Sequence, residues 1–165
     1  MFKGVLNKIS IPFIIAFILL FQLVFGAGAI NVYAQSQDIR IEFYNSVKEE
    51  RSDSLNLCFK ITNKGNTQIG LSKIKLRYYF DDDGVSPIGM NPDYAHNNYA
   101  HIPNDRIIYS ANDIISPDAN KYIEIGFNTA AGILAPDTSA GINLRVWDGD
   151  YNQKFDQTND YSFCA

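Results

Sequence analysis

Carboxylates crowd two short stretches of this 165-residue chain. Asp81-Asp82-Asp83 sits just before Gly84, and Asp156-Gln157-Thr158-Asn159-Asp160 lies near the other end. Clustered acids repel one another unless water or a cation separates them. A hard cation such as calcium takes about six to eight oxygen ligands from Asp, Asn and backbone carbonyls. The spacing does not fit the helical calcium-binding loop, so one ion would have to be held by both stretches. Two solvated acidic turns are the alternative. Other chemistry is poorly served. His96 and His101 have no Cys or acid at zinc-binding spacing. A glycosidase needs two carboxylates placed across a cleft, and the best acids are already clustered. No Gly-x-Ser-x-Gly nucleophile motif is present. The expectation is a chain without an active site of its own.

The elements that would position these residues follow from a period of two. Apolar and polar residues alternate over residues 39–44, 55–62, 74–80, 122–127 and 142–147, and residues 106–109 fit a further strand. Such alternation marks half-buried strands. Turn residues separate them at Asn63-Lys64-Gly65-Asn66, Asp82-Asp83-Gly84, Ser116-Pro117-Asp118-Ala119-Asn120 and Ala135-Pro136-Asp137. After residue 34 no segment holds a helical period. Many short strands without helices predict a sandwich or barrel. Residues 85–105 do not alternate. They are rich in Asn and carry Tyr94, Tyr99 and both histidines, and they are expected to form a long, ordered, functional loop.

The chain opens with Lys3 and Lys8, an apolar run over residues 11–25 broken only by Gln22, and small residues ending in Val32-Tyr33-Ala34. This reads as a secretory signal over residues 1–34, cleaved after Ala34. The run is short for a membrane span, which needs about 20 residues. Residues 35–165 then make one exported domain. Losing two of 14 basic residues leaves 12 against 18 acids, a charge of about −6. No basic stripe offers a nucleic-acid surface, and nothing supports membrane-surface binding. Export makes a Cys58–Cys164 disulfide possible, with a buried free Cys58 as the alternative.

Several motifs fall in register. These are Ile41-Glu42-Phe43-Tyr44-Asn45, Phe59-Lys60-Ile61-Thr62-Asn63-Lys64-Gly65 and Leu71-Ser72-Lys73-Ile74-Lys75-Leu76-Arg77-Tyr78-Tyr79. Tyr122-Ile123-Glu124-Ile125-Gly126-Phe127, Gly132-Ile133-Leu134-Ala135-Pro136 and Gln157-Thr158-Asn159-Asp160-Tyr161-Ser162-Phe163 follow. In that order the chain resembles the family 3 carbohydrate-binding modules, the cellulose-binding domains of bacterial scaffoldins and cellulases. The resemblance implies an all-β, two-sheet antiparallel sandwich with jelly-roll topology. It also implies further strands after the Asn-Asp-Tyr-Ser motif. Their absence from a chain ending at Ala165 is expected to leave a sheet edge unpaired and some core exposed.

By the same resemblance, a structural calcium would be held by Asp81 and Asp83 from the first loop and by Asp156, Asn159 and Asp160 from the second. Asp81 and Asp156 stand where the family more often has Thr. Crystalline cellulose would meet a strip of rings and polar groups: Asp93 with Tyr94, Arg145 and Tyr151, with Tyr99 as the candidate loop tyrosine. Asp93 and Arg145 are expected to pair. Trp147 shares a strand face with Arg145 by alternation. Each of these could instead be an ordinary surface or packing residue. The implied function is non-catalytic binding of cellulose or a related polysaccharide, with cellulase or scaffoldin components as possible partners. A sensing or protein-interaction module that has lost cellulose binding, or a fragment of a larger scaffoldin or cellulase, is the alternative.

Overall fold

The computed structural model describes residues 38–160. The expected export signal, Cys164 and the end of the Asn-Asp-Tyr-Ser motif lie outside the described residues, as does the question of further strands. Twelve strands run in chain order: β1 (Ile39–Asn45), β2 (Arg51–Ser52), β3 (Ser54–Asn63), β4 (Ile69–Gly70), β5 (Lys75–Phe80) and β6 (Ile88–Asn97). Then come β7 (Ala100–His101), β8 (Ile107–Ser116), β9 (Ala119–Phe127), β10 (Ile133–Leu134), β11 (Ser139–Asp148) and β12 (Phe155–Asp156). Among the described residues the only helical pieces are short 3-10 turns.

A five-stranded sheet runs β1-β3-β11-β6-β7 and a three-stranded sheet runs β5-β9-β8. Two-stranded ribbons pair β10 with β4 and β12 with β2. Every strand pair is antiparallel. The chain is therefore the expected all-β sandwich. Its core is what the alternation dictates: Leu55, Leu57, Phe59 and Ile61 from β3 and Ile142, Leu144 and Val146 from β11 face Leu76, Tyr78 and Phe80 from β5 and Ile123, Ile125 and Phe127 from β9. Phe43 packs its ring on Phe59 at 4.8 Å and on Tyr78 at 5.3 Å, joining the two sheets. Among the described residues β1 forms one edge of the larger sheet. Ile41, on its core-facing side opposite Ile61, is half exposed.

The expected long loop over residues 85–105 is not a loop. It is strand β6, paired with β11 along its length, and a tight hairpin into β7. A register shift opposite Asn143 and Leu144 inserts one extra residue at Pro92-Asp93. Such a bulge reverses which residues face the core, so the alternation changes phase midway and no single period survives. Pro92 would argue against a central strand, but a bulge is where proline is tolerated. The hairpin turns on Asn98 and Tyr99, with φ of 45° and 69°. Two consecutive residues at positive φ fit the tight turn that matches strand twist.

Cys58 is buried beside Tyr44, on the face opposite Leu57 and Phe59, and has no disulfide partner among the described residues. Its Sγ donates to the Asn56 carbonyl at 3.7 Å.

Phe80 is fully buried and lies 5.9 Å from the Tyr78 ring and 6.1 Å from Phe155. Phe80→Ala is expected to lower the unfolding free energy by about 3–5 kcal/mol, read as a shifted midpoint in urea.

Candidate functional site

Strand β11 lies between β3 and β6, so its core-facing residues are fully enclosed and its alternate residues form the outer face. Asn143 and Arg145 are exposed there and Trp147 is half buried. Across the ladder stand Tyr94 opposite Asn143, Asn91 opposite Arg145, Gly89 opposite Trp147, and His96 opposite Gly141. The bulge turns both Asp93 and Tyr94 outward. Pro92 stays buried, and its carbonyl accepts from Asn104 Nδ2 at 2.9 Å.

Arg145 Nη2 donates to Asp93 Oδ1 at 2.9 Å, the pair expected from the resemblance. Asn91 Nδ2 approaches the same oxygen at 3.4 Å. Both charged side chains are near half exposed, so the pair contributes little stability. Its effect is to hold a flat guanidinium–carboxylate unit on the surface. Tyr94 stands beside this unit. Its ring stacks on His101 at 5.9 Å and 25° and tilts toward His96 at 5.8 Å.

Tyr151 follows β11 on a turn and adopts φ of 56°. The buried Asp148 carboxylate holds that turn by accepting N–H bonds from Asp150 (3.2 Å), Asn152 (2.7 Å) and Gln153 (2.7 Å). Burial works against the charged carboxylate, but these bonds prevail and keep its pKa below the usual range. Tyr151 is 78 % exposed and lines one groove with Arg145, Trp147, Asp53 and Ser54. Tyr99 is 91 % exposed at the hairpin tip, and its ring makes no aromatic contact among the described residues. Asp93, Tyr94, Arg145 and Tyr151 thus share one region of the sheet surface, with Tyr99 at its rim. The ring against Tyr94 is His101, which the sequence reading set aside. The signal that could have found it is the Asn98-Tyr99 pair, a two-residue turn that brings His96 opposite His101.

The two acidic stretches also meet. Asp83 Oδ2 accepts from the Asp156 N–H at 2.6 Å, and Asp83 Oδ1 accepts from Asn159 Nδ2 at 3.0 Å. Asp160 accepts from the Tyr78 hydroxyl at 2.9 Å and from the Asp81 N–H at 3.2 Å. Asn120, missed by the sequence reading, donates to Asp81 Oδ1 at 3.0 Å. Lys121 pairs with Asp82 at 3.2 Å, but no basic side chain among the described residues pairs with Asp81, Asp83 or Asp160. Burial is the main cause that pushes the Asp160 carboxyl up to about 6. The bonds from Tyr78 and Asp81 oppose it, while the Asp83 and Asp81 charges add to it.

This donor set suits a hard cation in its chemistry, being oxygen-rich, acidic and short of positive charge. Its carboxylates are nonetheless spent on internal N–H and O–H donors. Among the described residues no three His, Cys, Asp or Glu side chains already converge as a metal site.

The sequence matches the family described as a cellulose binding domain, the third of the carbohydrate-binding module families, over residues 40–165. The chain belongs to this family. It is 35 % identical over 127 residues to a xyloglucanase from a Paenibacillus species, covering 77 % of this chain and 12 % of that protein. It is 30 % identical over 138 residues to anti-sigma-I factor RsgI2 of Acetivibrio thermocellus, covering 76 % of this chain and 20 % of that protein. The module thus spans a small part of each of these relatives. A solved domain with flanking linkers from a Clostridium thermocellum cellulosome scaffoldin superposes with a TM-score of 0.72 at 32 % identity, over 80 % of this chain and 79 % of that one.

The buried Asp160 makes calcium-free stability depend on pH. Below about pH 4 the group is protonated in both the folded and unfolded chain. Between there and about 6 only the folded chain keeps its proton. The contribution of Asp160 to stability is therefore expected to fall as pH rises through this window and to level off above it. Urea midpoints taken across the window in chelator should fall for wild type relative to Asp160→Asn. A wild-type profile that matches that of Asp160→Asn would contradict the burial of this carboxyl.

Proposed function

We propose that this module binds neutral polysaccharide, cellulose foremost, through the outer face of the five-stranded sheet, and performs no catalysis itself. The observation that carries the reading is the Asp93–Arg145 pair set on the same outward face as Tyr94 and Tyr151. Sugar rings present apolar C–H faces bordered by hydroxyls. Exposed tyrosines supply rigid stacking area, and the ion pair between them supplies donors and acceptors at the level of the sheet. Membership of a carbohydrate-binding family and similarity to a xyloglucanase and a scaffoldin domain support the same reading. The module is proposed to act outside the cell, alongside cellulase or scaffoldin components.

A structural calcium is part of the proposal. Asp81, Asp83, Asp156, Asn159 and Asp160 would hold it, replacing internal hydrogen bonds with metal contacts. When bound, the ion would neutralise the acid cluster and tie the β5 end to the β12 turn. Adding calcium is expected to raise the thermal midpoint, and Asp83→Ala to abolish the rise. An unchanged midpoint in the wild type would remove calcium from the account.

Adsorption of the purified protein to microcrystalline cellulose, with chitin beside it, tests the binding reading. Wild type should be retained on cellulose. Tyr94→Ala, Arg145→Ala and Tyr151→Ala should each weaken retention about three- to tenfold, the scale of one ring or charged contact. A folded wild-type chain that washes off cellulose would sink this reading.

A further inference from the structure

The outer face carries a ring that the strip does not include. Trp147 is the only tryptophan in the chain. Its indole lies flat across the facing strand, directly over Gly89. A Cβ at residue 89 would come within 2.4 Å of the indole Cε2, 2.6 Å of Nε1 and 2.8 Å of Cζ2. Any residue but glycine there would lift the ring off the sheet. His96 repeats the device farther along the same two strands. A Cβ on Gly141 would lie 2.5 Å from its Nε2. Rings and glycines are exchanged between β6 and β11, so both strands lend their surface to flat aromatic groups.

Beside Trp147 the surface dips into a groove of about 250 Å³ lined by Asp53, Ser54, Arg145, Trp147 and Tyr151. The Trp147 ring is held in place, and so is the backbone that carries Tyr151. Trp147 rests on Gly89, and Arg145 Cζ lies 5.7 Å from its ring centroid. Tyr151 rides on the turn held by Asp148. That turn is fixed on its other side by the Gly149 N–H, which donates to the Pro87 carbonyl at 2.7 Å. Gly149 is packed so closely on Pro87 that a Cβ would lie 2.9 Å from the ring. A ring fixed in advance, as Trp147 is, loses little freedom on binding. The groove falls below the roughly 300–1,000 Å³ typical of drug-sized pockets, which suits one sugar ring.

We propose that the groove between Trp147 and Tyr151 is a subsite for one pyranose unit of a β-glucan chain, with Trp147 as its stacking platform and Gly89 as the residue that lays the platform flat. The ring's C–H face rests on the indole. Ser54 and Asp53 receive its hydroxyls at one side and Arg145 at the other. The inference rests on the polysaccharide reading of this face. It adds an aromatic residue that grips an individual chain as well as a flat array.

Because Trp147 is the only indole, its fluorescence reads this groove alone. Titrating the purified protein with cellohexaose is expected to change the emission saturably. Gly89→Ala, folded by circular dichroism, should weaken that response about three- to tenfold, since the added methyl displaces the ring. Trp147→Ala removes bulk and does not depend on Gly89 tolerating a side chain. It should weaken cellohexaose binding by a similar factor in calorimetry. Adding Gly89→Ala to Trp147→Ala should change binding no further, the non-additivity of two residues acting through one contact. Unchanged emission, together with Trp147→Ala binding like wild type, overturns the subsite. If wild type still adsorbs to cellulose in that case, the strip reading survives without it. An emission response in a protein that does not adsorb to crystalline cellulose supports the subsite and removes the strip. Silence in both assays removes both.

Discussion

Strand β11 is paired on both sides, to β3 and to β6, and the outer face of the large sheet depends on that double pairing. A strand enclosed in this way has no freedom to twist its side chains out of alternation. Leu144 at 1 % exposure and the exposed Arg145 are neighbours in sequence and stand on opposite faces of the sheet. The inner series is needed to bury the core. The outer series is then released from any packing duty and is held at fixed spacing by the same hydrogen bonds. This is why Asn143, Arg145 and Trp147 stand at positions on the surface as fixed as those of the core residues beneath them.

The partner strand β6 shows what the sheet concedes to obtain that surface. Its inner face is thin, with Met90 only partly buried and Ala95 among its few enclosed side chains. It stays in the sheet because β11 supplies the pairing. The bulge at Pro92-Asp93 lets two consecutive residues, Asp93 and Tyr94, face solvent together, which regular alternation forbids. Asp93 thereby reaches Arg145, and Tyr94 reaches His101. Glycines at positions 89 and 141 clear the floor for Trp147 and His96. Each departure from a regular strand coincides with a residue of the outer face.

At the end of the sandwich that carries the β5 and β12 termini, the constraint is electrostatic. The turn after β5 and the turn after β12 bring acids together, and among the described residues no Lys or Arg pairs with Asp81, Asp83 or Asp160. Backbone N–H groups and Tyr78 carry part of that negative charge. Asp160 responds by holding its proton to higher pH. The arrangement favours a protonated carboxyl, and it is the same charge that the proposed cation would neutralise.

Most of the fold was legible in the sequence because alternation is local. Residues 55–62, 74–80, 122–127 and 142–147 announce their buried faces without reference to any other strand, and the acidic stretches are visible as composition. The motifs also placed the chain in its family and, by resemblance, paired Asp93 with Arg145. Tertiary structure decided what depends on register. No local pattern marks β6 as a strand, since its inner face is weak and its bulge reverses the period. Nothing near Trp147 in sequence names Gly89 as its floor, nothing near Tyr94 names His101 as the ring it stacks on, and Asn120 is 39 residues from the Asp81 it touches. A strand's own residues fix which way each side chain points, while only the pairing of strands fixes what each side chain meets.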